Sequence, residues 1–290
     1  MRRLAFRGYS GAGEFIGGVR GETVNGDAGS PKGRTQALFN GLAEDYDAAG
    51  PGNFAHFGHR LVDVVGVEPG HRVLDVATGR GAVLFPAAER AGTTGHVIGI
   101  DFAEAMVRAT ETDAKRRGLV VQIFRMDAEH LDFPDAEFDR VLCGFGVMFF
   151  PDLEKALGEF RRVLKAGGRL GVSTWQVSQN ELLAQVLGGL GIQQGPPPGW
   201  ITDPDRLADL LRQAGFQDVQ VSVDAEDFCY ADLDQYWENA RGTGQRPAID
   251  GLNATQRERA RTALAERLRS HQQADGIHVV ATALLATATR

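Results

Sequence analysis

The chain has 290 residues, 43% of them hydrophobic and 24% charged, the make-up of a folded globular protein built around one large domain. A net charge of -7 without any basic run excludes a nucleic-acid backbone as the main partner. The two cysteines, Cys143 and Cys229, form no C-x-x-C pair, which excludes a disulfide framework or a Cys-rich zinc site, and no apolar run reaches the ~18 residues of a membrane span.

Residues 1–33 start basic and turn Gly-rich, without the apolar core of a secretory signal. They read as a flexible leader, an expression scar or an overlong start, ahead of a single domain over 34–290. Leu38, Leu42 and Tyr46 have helical spacing, and folded structure is expected from near Thr35. Phe54, Phe57, Leu61 and Val64 form a second helical stripe. Strands are then expected over 71–77, 96–101, 120–127, 138–145 and 169–175, alternating with helices over 82–92, 103–118 and 152–168. The third helix is expected to stop at its Gly167-Gly168 pair. Two more helices (180–194 and 204–216), strands over 219–226 and 276–288, and a charged helix over 255–270 complete the chain. This pattern specifies an α/β, doubly wound, seven-stranded, mostly parallel sheet with helices on both faces. Segments near 34–60, 178–203 and 226–272 are read as lids. Ligands on such sheets bind beyond the carboxyl ends of the strands.

The stretch RVLDVATGRGAVLF carries the first strand into a glycine turn and a helix. Gly79 and Gly81 supply two glycines of a G-x-G-x-x-G dinucleotide fingerprint, but Leu84 occupies the third position. Asp101 lies 20 positions after Gly81, so an NAD(P)-dependent oxidoreductase is one reading. Asp75 ends the first strand, where a carboxylate repels a pyrophosphate and attracts an ammonium. S-adenosylmethionine carries an ammonium and a sulfonium on an adenosine without phosphate. Asp75 also suits a plain cap of the turn or of the following helix. Asp101 can chelate two ribose hydroxyls, and with Glu104 it forms a D-x-x-E capping box for the next helix. Asp127 ends the third strand, where it can accept from an adenine amine; Ala128 and Glu129 offer backbone N–H groups to the ring. Three acids at three consecutive strand ends match one nucleoside.

From these residues the chain resembles the class I S-adenosylmethionine-dependent methyltransferases, in particular the type-11 branch with its quinone-biosynthesis and natural-product members. The pieces LFNGLAEDYD, VLDVATGRG, VIGIDFAEAMVRAT and the run from MDAEHLDF to KAGGRL carry the resemblance. It implies a Rossmann-like fold and S-adenosyl-L-methionine as cofactor. By the same resemblance Asp75, Ala77, Gly79 and Gly81 line the methionine end, and Asp101 holds the ribose. Phe102 and Met106 pack near the adenine, and Asp127 and Ala128 read its edge. Cys143 and Phe145 lie by the transferring methyl, and Tyr46 closes over the cofactor. Ala77 departs from the usual first glycine, and Arg80 stands where a small residue is common; it is expected to face solvent or to meet a carboxylate of cofactor or substrate.

The loop CGFGVMFFPD lacks the Asn/Asp-Pro-Pro-aromatic signature of nucleobase amine methylation. Phe145, Val147, Met148, Phe149 and Phe150 suggest an apolar substrate wall, with about half of them given to the core. Trp175, Trp200, Phe228, Tyr230 and Trp237 are further pocket candidates, as suits a planar or terpenoid small molecule. His56 and His59 are weak candidates for a general base; His130 and His278 read as structural. No cluster has metal-ligand spacing, and no metal is expected. The expected reaction is C- or O-methylation of an apolar or aromatic small molecule in the cytoplasm, with a homodimer allowed. Alternatives are the oxidoreductase and a relative that uses S-adenosylmethionine without transferring its methyl.

Overall fold

The computed structural model describes residues 27, 29–192 and 200–290. Its first helix, α1, spans Pro31–Leu42. Ser30 caps it by accepting from the Gly33 N–H, and Pro31 sits at the first position, where a missing N–H costs nothing. The helix therefore opens inside the stretch read as a leader, four residues before Thr35; residues 1–26 lie outside the described residues. Tyr46 falls beyond its end, in a turn.

Helix α2 (Asn53–Val65) buries Phe54, Phe57, Leu61, Val62 and Val65 along one stripe. Burial of each such side chain contributes roughly 1.5–3 kcal/mol. Strand β1 (Arg72–Val76), α3 (Leu84–Ala91), β2 (His96–Asp101), α4 (Glu104–Arg117), β3 (Gln122–Arg125), β4 (Phe138–Gly144), α5 (Leu153–Val163) and β5 (Leu164–Val177) then alternate as the sequence specifies. The chain leaves α5 before its glycines. Leu164 already has extended backbone, and residues 165–168 form a bulge between the pairs Phe138–Leu164 and Arg140–Arg169. Helices α6 (Glu181–Gly189) and α7 (Pro204–Gln213) follow, then β6 (Gln217–Tyr230). Helices α8 (Leu233–Arg241), α9 (Arg246–Asp250) and α10 (Ala254–Leu268) precede β7 (Ile277–Thr289).

The seven strands lie in the order β3-β2-β1-β4-β5-β7-β6. All pairings are parallel except those of β7, which runs antiparallel to both β5 and β6. Strand alternation divides the core between the two faces. Val73 and Leu142 pack with α2 and α3, while Leu74, Val76 and Val141 pack with α5 and α7. The chain steps outward from β1 through β2 to β3, then returns to β4 on the other side of β1. Loops leaving β1 and β4 therefore part at their carboxyl ends and leave a crevice there.

Segment 226–272, read as a lid, begins as strand: β6 continues to Tyr230, because Glu226 to Tyr230 pair with Ala281 to Ile277. Of the segment 178–203, residues 193–199 lie outside the described residues.

Candidate active site

A cleft enclosing about 760 Å³, part of it open to solvent, occupies that crevice. Strand ends supply its floor through Val76 and Ala77, Asp101 and Phe102, and Met126 to Ala128. The turn after β4 supplies Phe145, Phe149 and Phe150, and α1 with the turn behind it supplies Lys32, Phe39 and Tyr46 as a roof.

Asp101 is fixed by the backbone on both carboxylate oxygens. Its Oδ2 accepts the Gly79 N–H at 2.9 Å and its Oδ1 accepts the Ala103 N–H at 2.8 Å. The expected capping box with Glu104 does not form: Ala103 is the cap residue of α4, and Glu104 pairs with Arg108. Burial, opposed by those N–H groups, pushes the Asp101 carboxyl up to about 6.

Asp127 is almost fully buried. Its Oδ1 accepts the Glu129 N–H at 3.0 Å, so that N–H, expected to face a purine ring, is already engaged. Its Oδ2 receives the Lys32 ammonium at 2.5 Å, and Lys32 also reaches Glu129 Oε2 at 2.6 Å. Burial alone would raise the Asp127 carboxyl, but Lys32 and the Glu129 N–H hold it below the ordinary range.

Asp75 departs from expectation. Alternation turns it to the same sheet face as Val73, so its carboxyl sits beneath the glycine turn and outside the cleft wall. Oδ2 accepts the Thr78 hydroxyl at 2.6 Å, whereas Oδ1 is buried without a hydrogen-bond partner. Burial, with Asp101 close by, pushes the group up to about 7, against the pull of Thr78. Of the two readings of Asp75, the cap of the turn is the one its contacts resemble.

Ala77, Gly79, Phe102, Ala128, Phe145 and Tyr46 line the cleft as expected. Gly81, Met106 and Cys143 do not. Gly81 carries the turn toward α3, Met106 packs fully buried against Leu42 and Ala43, and Cys143 faces the core shared with Val141. Burial raises the Cys143 thiol well above its ordinary range, so it stays protonated. Ala77 and Phe145 both hold left-handed backbone, φ 56° and φ 57°. For side chains larger than hydrogen this costs roughly 1–2 kcal/mol each, and strain of this kind gathers at ligand sites. Arg80 is partly exposed and does not line the cleft; its guanidinium pairs with Asp113 and the Ala43 carbonyl.

The aromatic loop divides as argued: Phe145, Phe149 and Phe150 line the cleft, while Val147 and Met148 are core. Trp175 stacks on Phe145 at 4.1 Å between ring centres, and Trp200 donates Nε1–H to the Trp175 carbonyl at 3.0 Å. Phe54 and Phe57 meet Trp175 edge-on, and Phe228 packs on Phe57. Met148, Trp175, Trp200, Phe228, Tyr230 and Trp237 thus stand outside the cleft wall, which Trp175 supports from behind through Phe145. The Tyr230 hydroxyl is held by Asn53 and Asn239. Neither histidine candidate reaches the cleft. His59 is exposed, and His56 lies edge-on to Phe57 and Phe228 with Nε2 3.7 Å from Glu226.

Lys32, Phe39 and Met126 are cleft residues that the sequence reading missed. Lys32 lay in the presumed leader, although Ser30-Pro31 is a helix-start signal.

Residues 73–168 match the family described as the methyltransferase domain. The nocamycin O-methyltransferase of Saccharothrix syringae is 38% identical over 209 residues, covering 63% of this chain and 72% of that protein. The aklanonic acid methyltransferase DauC of Streptomyces sp. strain C5 is 42% identical over 145 residues, covering 50% of this chain and 66% of that protein. The crystal structure of the YcgJ protein from Bacillus subtilis superposes with a TM-score of 0.56 at 19% identity, over 81% of this chain and 98% of that one. That last likeness is one of fold.

Proposed function

The chain belongs to the class I S-adenosylmethionine-dependent methyltransferases of the type-11 kind, and from that premise we propose that it methylates a carbon or oxygen atom of an apolar or aromatic small molecule. The charge balance of the cleft supports the cofactor. Burial pushes the Asp101 carboxyl of the cleft upward, and burial with Asp101 close by does the same to Asp75 beneath the glycine turn, whose Oδ1 has no hydrogen-bond partner. Among the described residues that line the cleft, Lys32 is the one cation, and it is committed to Asp127 and Glu129. A cationic cofactor without phosphate supplies the missing positive charge; a diphosphate would worsen the imbalance. The Gly79 N–H, which a pyrophosphate would need, is also taken by Asp101. The oxidoreductase reading therefore fails on electrostatics.

In this account Asp101 would hold the ribose hydroxyls and Asp127 the adenine amine. Ala77 and Gly79 would bound the methionine end. The bound cofactor supplies an electrophilic methyl group on a sulfonium. The chain's own contribution is placement. Phe145, Phe149 and Phe150 give the acceptor an apolar wall, and the roof from α1 and Tyr46 excludes water. Positioning of this kind can lower a barrier by ~7–11 kcal/mol. The Tyr46 hydroxyl, raised well above its ordinary range by burial with Asp47 and Asp101 nearby, stays protonated and so is not a phenolate base. Acceptors that ionise readily, such as phenols and 1,3-dicarbonyl carbons, suit a cleft whose described wall includes no histidine.

The two relatives act, by name, on nocamycin and on aklanonic acid. We infer an acceptor of the same broad kind, a polyketide-like or quinone-like molecule. The observation that carries the reading is the pair Asp101 and Asp127 in one cleft with an aromatic wall. The test is transfer of a labelled methyl from S-adenosylmethionine to a panel of phenolic, enolic and quinol acceptors. A labelled product with stoichiometric S-adenosylhomocysteine is expected. Conversion of an acceptor with the cofactor left intact would support use of S-adenosylmethionine without methyl transfer instead.

A further inference from the structure

At the opposite edge of the sheet, three donor side chains converge. We propose that Cys229 Sγ, His278 Nε2 and the Asp275 carboxylate form a binding site for a zinc-class divalent ion, with solvent as the fourth ligand. Their donor atoms lie within 4.8 Å of one another, and His278 Nε2 is 3.0 Å from Asp275 Oδ1. Donors around a tetrahedral zinc ion with bonds of ~2.0–2.3 Å stand about 3.3–3.7 Å apart. Closing the trio therefore needs about 1 Å of side-chain movement, and all three side chains are at least partly exposed.

The backbone brings them together. Cys229 on β6 and His278 on β7 are direct cross-strand partners, so their side chains share one face. Asp275 stands three residues before His278, in the turn that enters β7. That turn passes close enough to Cys229 to require glycine: a Cβ on Gly276 would lie 2.4 Å from the Tyr230 carbonyl and 2.7 Å from Cys229 Sγ. Asp227, two residues before Cys229, accepts from His278 Nδ1 at 2.8 Å. It would fix the ring so that Nε2 faces the ion, the carboxylate–histidine arrangement that orients metal-bound imidazoles.

Without a cation, desolvation and the neighbouring Asp275 and Asp227 carboxylates disfavour a thiolate at Cys229; a dication reverses that balance. Binding releases the thiol proton to solvent and joins sulfur, nitrogen and oxygen to the metal. The mixed donor set suits zinc over magnesium or calcium, which prefer all-oxygen shells. The ion would tie the end of edge strand β6 to the start of β7. This pins the hairpin-like margin behind Phe228, which packs on Phe57. The competing arrangement is an ion pair in which His278 merely bridges Asp227 and Asp275.

The test uses the full chain, freed of metal, titrated with Co²⁺ as a spectroscopic probe. One equivalent should bind with a thiolate-to-cobalt charge-transfer absorption that Zn²⁺ abolishes by displacement. Cys229→Ser should lose that absorption. Asp227→Asn should keep it but weaken binding about 10–100-fold. Zn²⁺ should raise the melting temperature of the parent chain and leave that of Cys229→Ser unchanged. Absence of the absorption, or an absorption and Zn²⁺ response unaltered by Cys229→Ser, would overturn the site and leave the ion pair.

Discussion

The Lys32 ammonium stands 2.5 Å from Asp127 Oδ2, bridging the roof helix to the third strand end across the mouth of the cleft. It occupies the acceptor that an adenine amine would use. In the proposed pose the amine displaces Lys32 from this oxygen, with the Glu129 carboxylate at 2.6 Å left to keep the cation. Replacing Lys32 with Met should free Asp127, so S-adenosylhomocysteine should bind several-fold tighter by calorimetry. The same change removes a half-buried ion pair and should lower stability by about 1 kcal/mol. Weaker binding would mean that Lys32 helps to hold the cofactor.

Asp101→Asn should be the most damaging single change to cofactor binding. Both carboxylate oxygens accept backbone N–H groups, from Gly79 and Ala103. An amide must turn its NH₂ toward one of them and offers the ribose a poorer acceptor. Losing a charge-assisted bond worth ~1.5–3 kcal/mol corresponds to roughly 10–150-fold weaker binding. Calorimetry with S-adenosylhomocysteine measures it, alongside a melting curve to show that the fold persists.

Stability without cofactor should depend on pH in an unusual direction. Asp75 is pushed up to about 7 and Asp101 to about 6, whereas both titrate near 4 when unfolded. Between about 4 and 7 the folded state binds more protons than the unfolded one, so stability falls as pH rises through that window. The two groups together amount to a few kcal/mol. The cofactor-free chain should therefore melt higher at pH 6 than at pH 8. Saturating S-adenosylmethionine should reduce this difference by holding Asp101 ionised, and Asp75→Asn should reduce it as well. A melting temperature that climbs from pH 6 to 8 would contradict these assignments.

The turn after β1 should answer oppositely to two small substitutions. Ala77 has φ 56°, so Ala77→Gly relieves ~1–2 kcal/mol of strain against ~0.4–1 kcal/mol of added chain entropy, a net gain of about 0.5 kcal/mol. Gly81 has φ 83°, and a Cβ there would lie 2.6 Å from the Phe85 ring. Gly81→Ala should lose at least about 2 kcal/mol and loosen the start of α3. Denaturant unfolding of the two variants distinguishes them.

The strands and most helices were legible because apolar period and glycine stops act locally. Asp101 and Asp127 were legible as well, since a strand end fixes where a carboxylate points. Asp75 was harder: its alternation places it under the turn, and only the packed loop with Thr78 reveals that. Lys32 was hidden because a Gly-rich composition outweighed the Ser30-Pro31 start signal. The positions of Trp175, Phe228 and Trp237 depend on how distant elements pack, which no local pattern encodes. Cys229 and His278 meet through cross-strand register over 49 positions, beyond any spacing rule.

A crystal structure with S-adenosylhomocysteine tests the central claim most directly. The ribose hydroxyls should lie on the Asp101 carboxylate and the adenine amine on Asp127, with Lys32 moved to Glu129 and the sulfur facing Phe145. A nucleoside bound elsewhere, with the Lys32–Asp127 contact unbroken, would contradict the account.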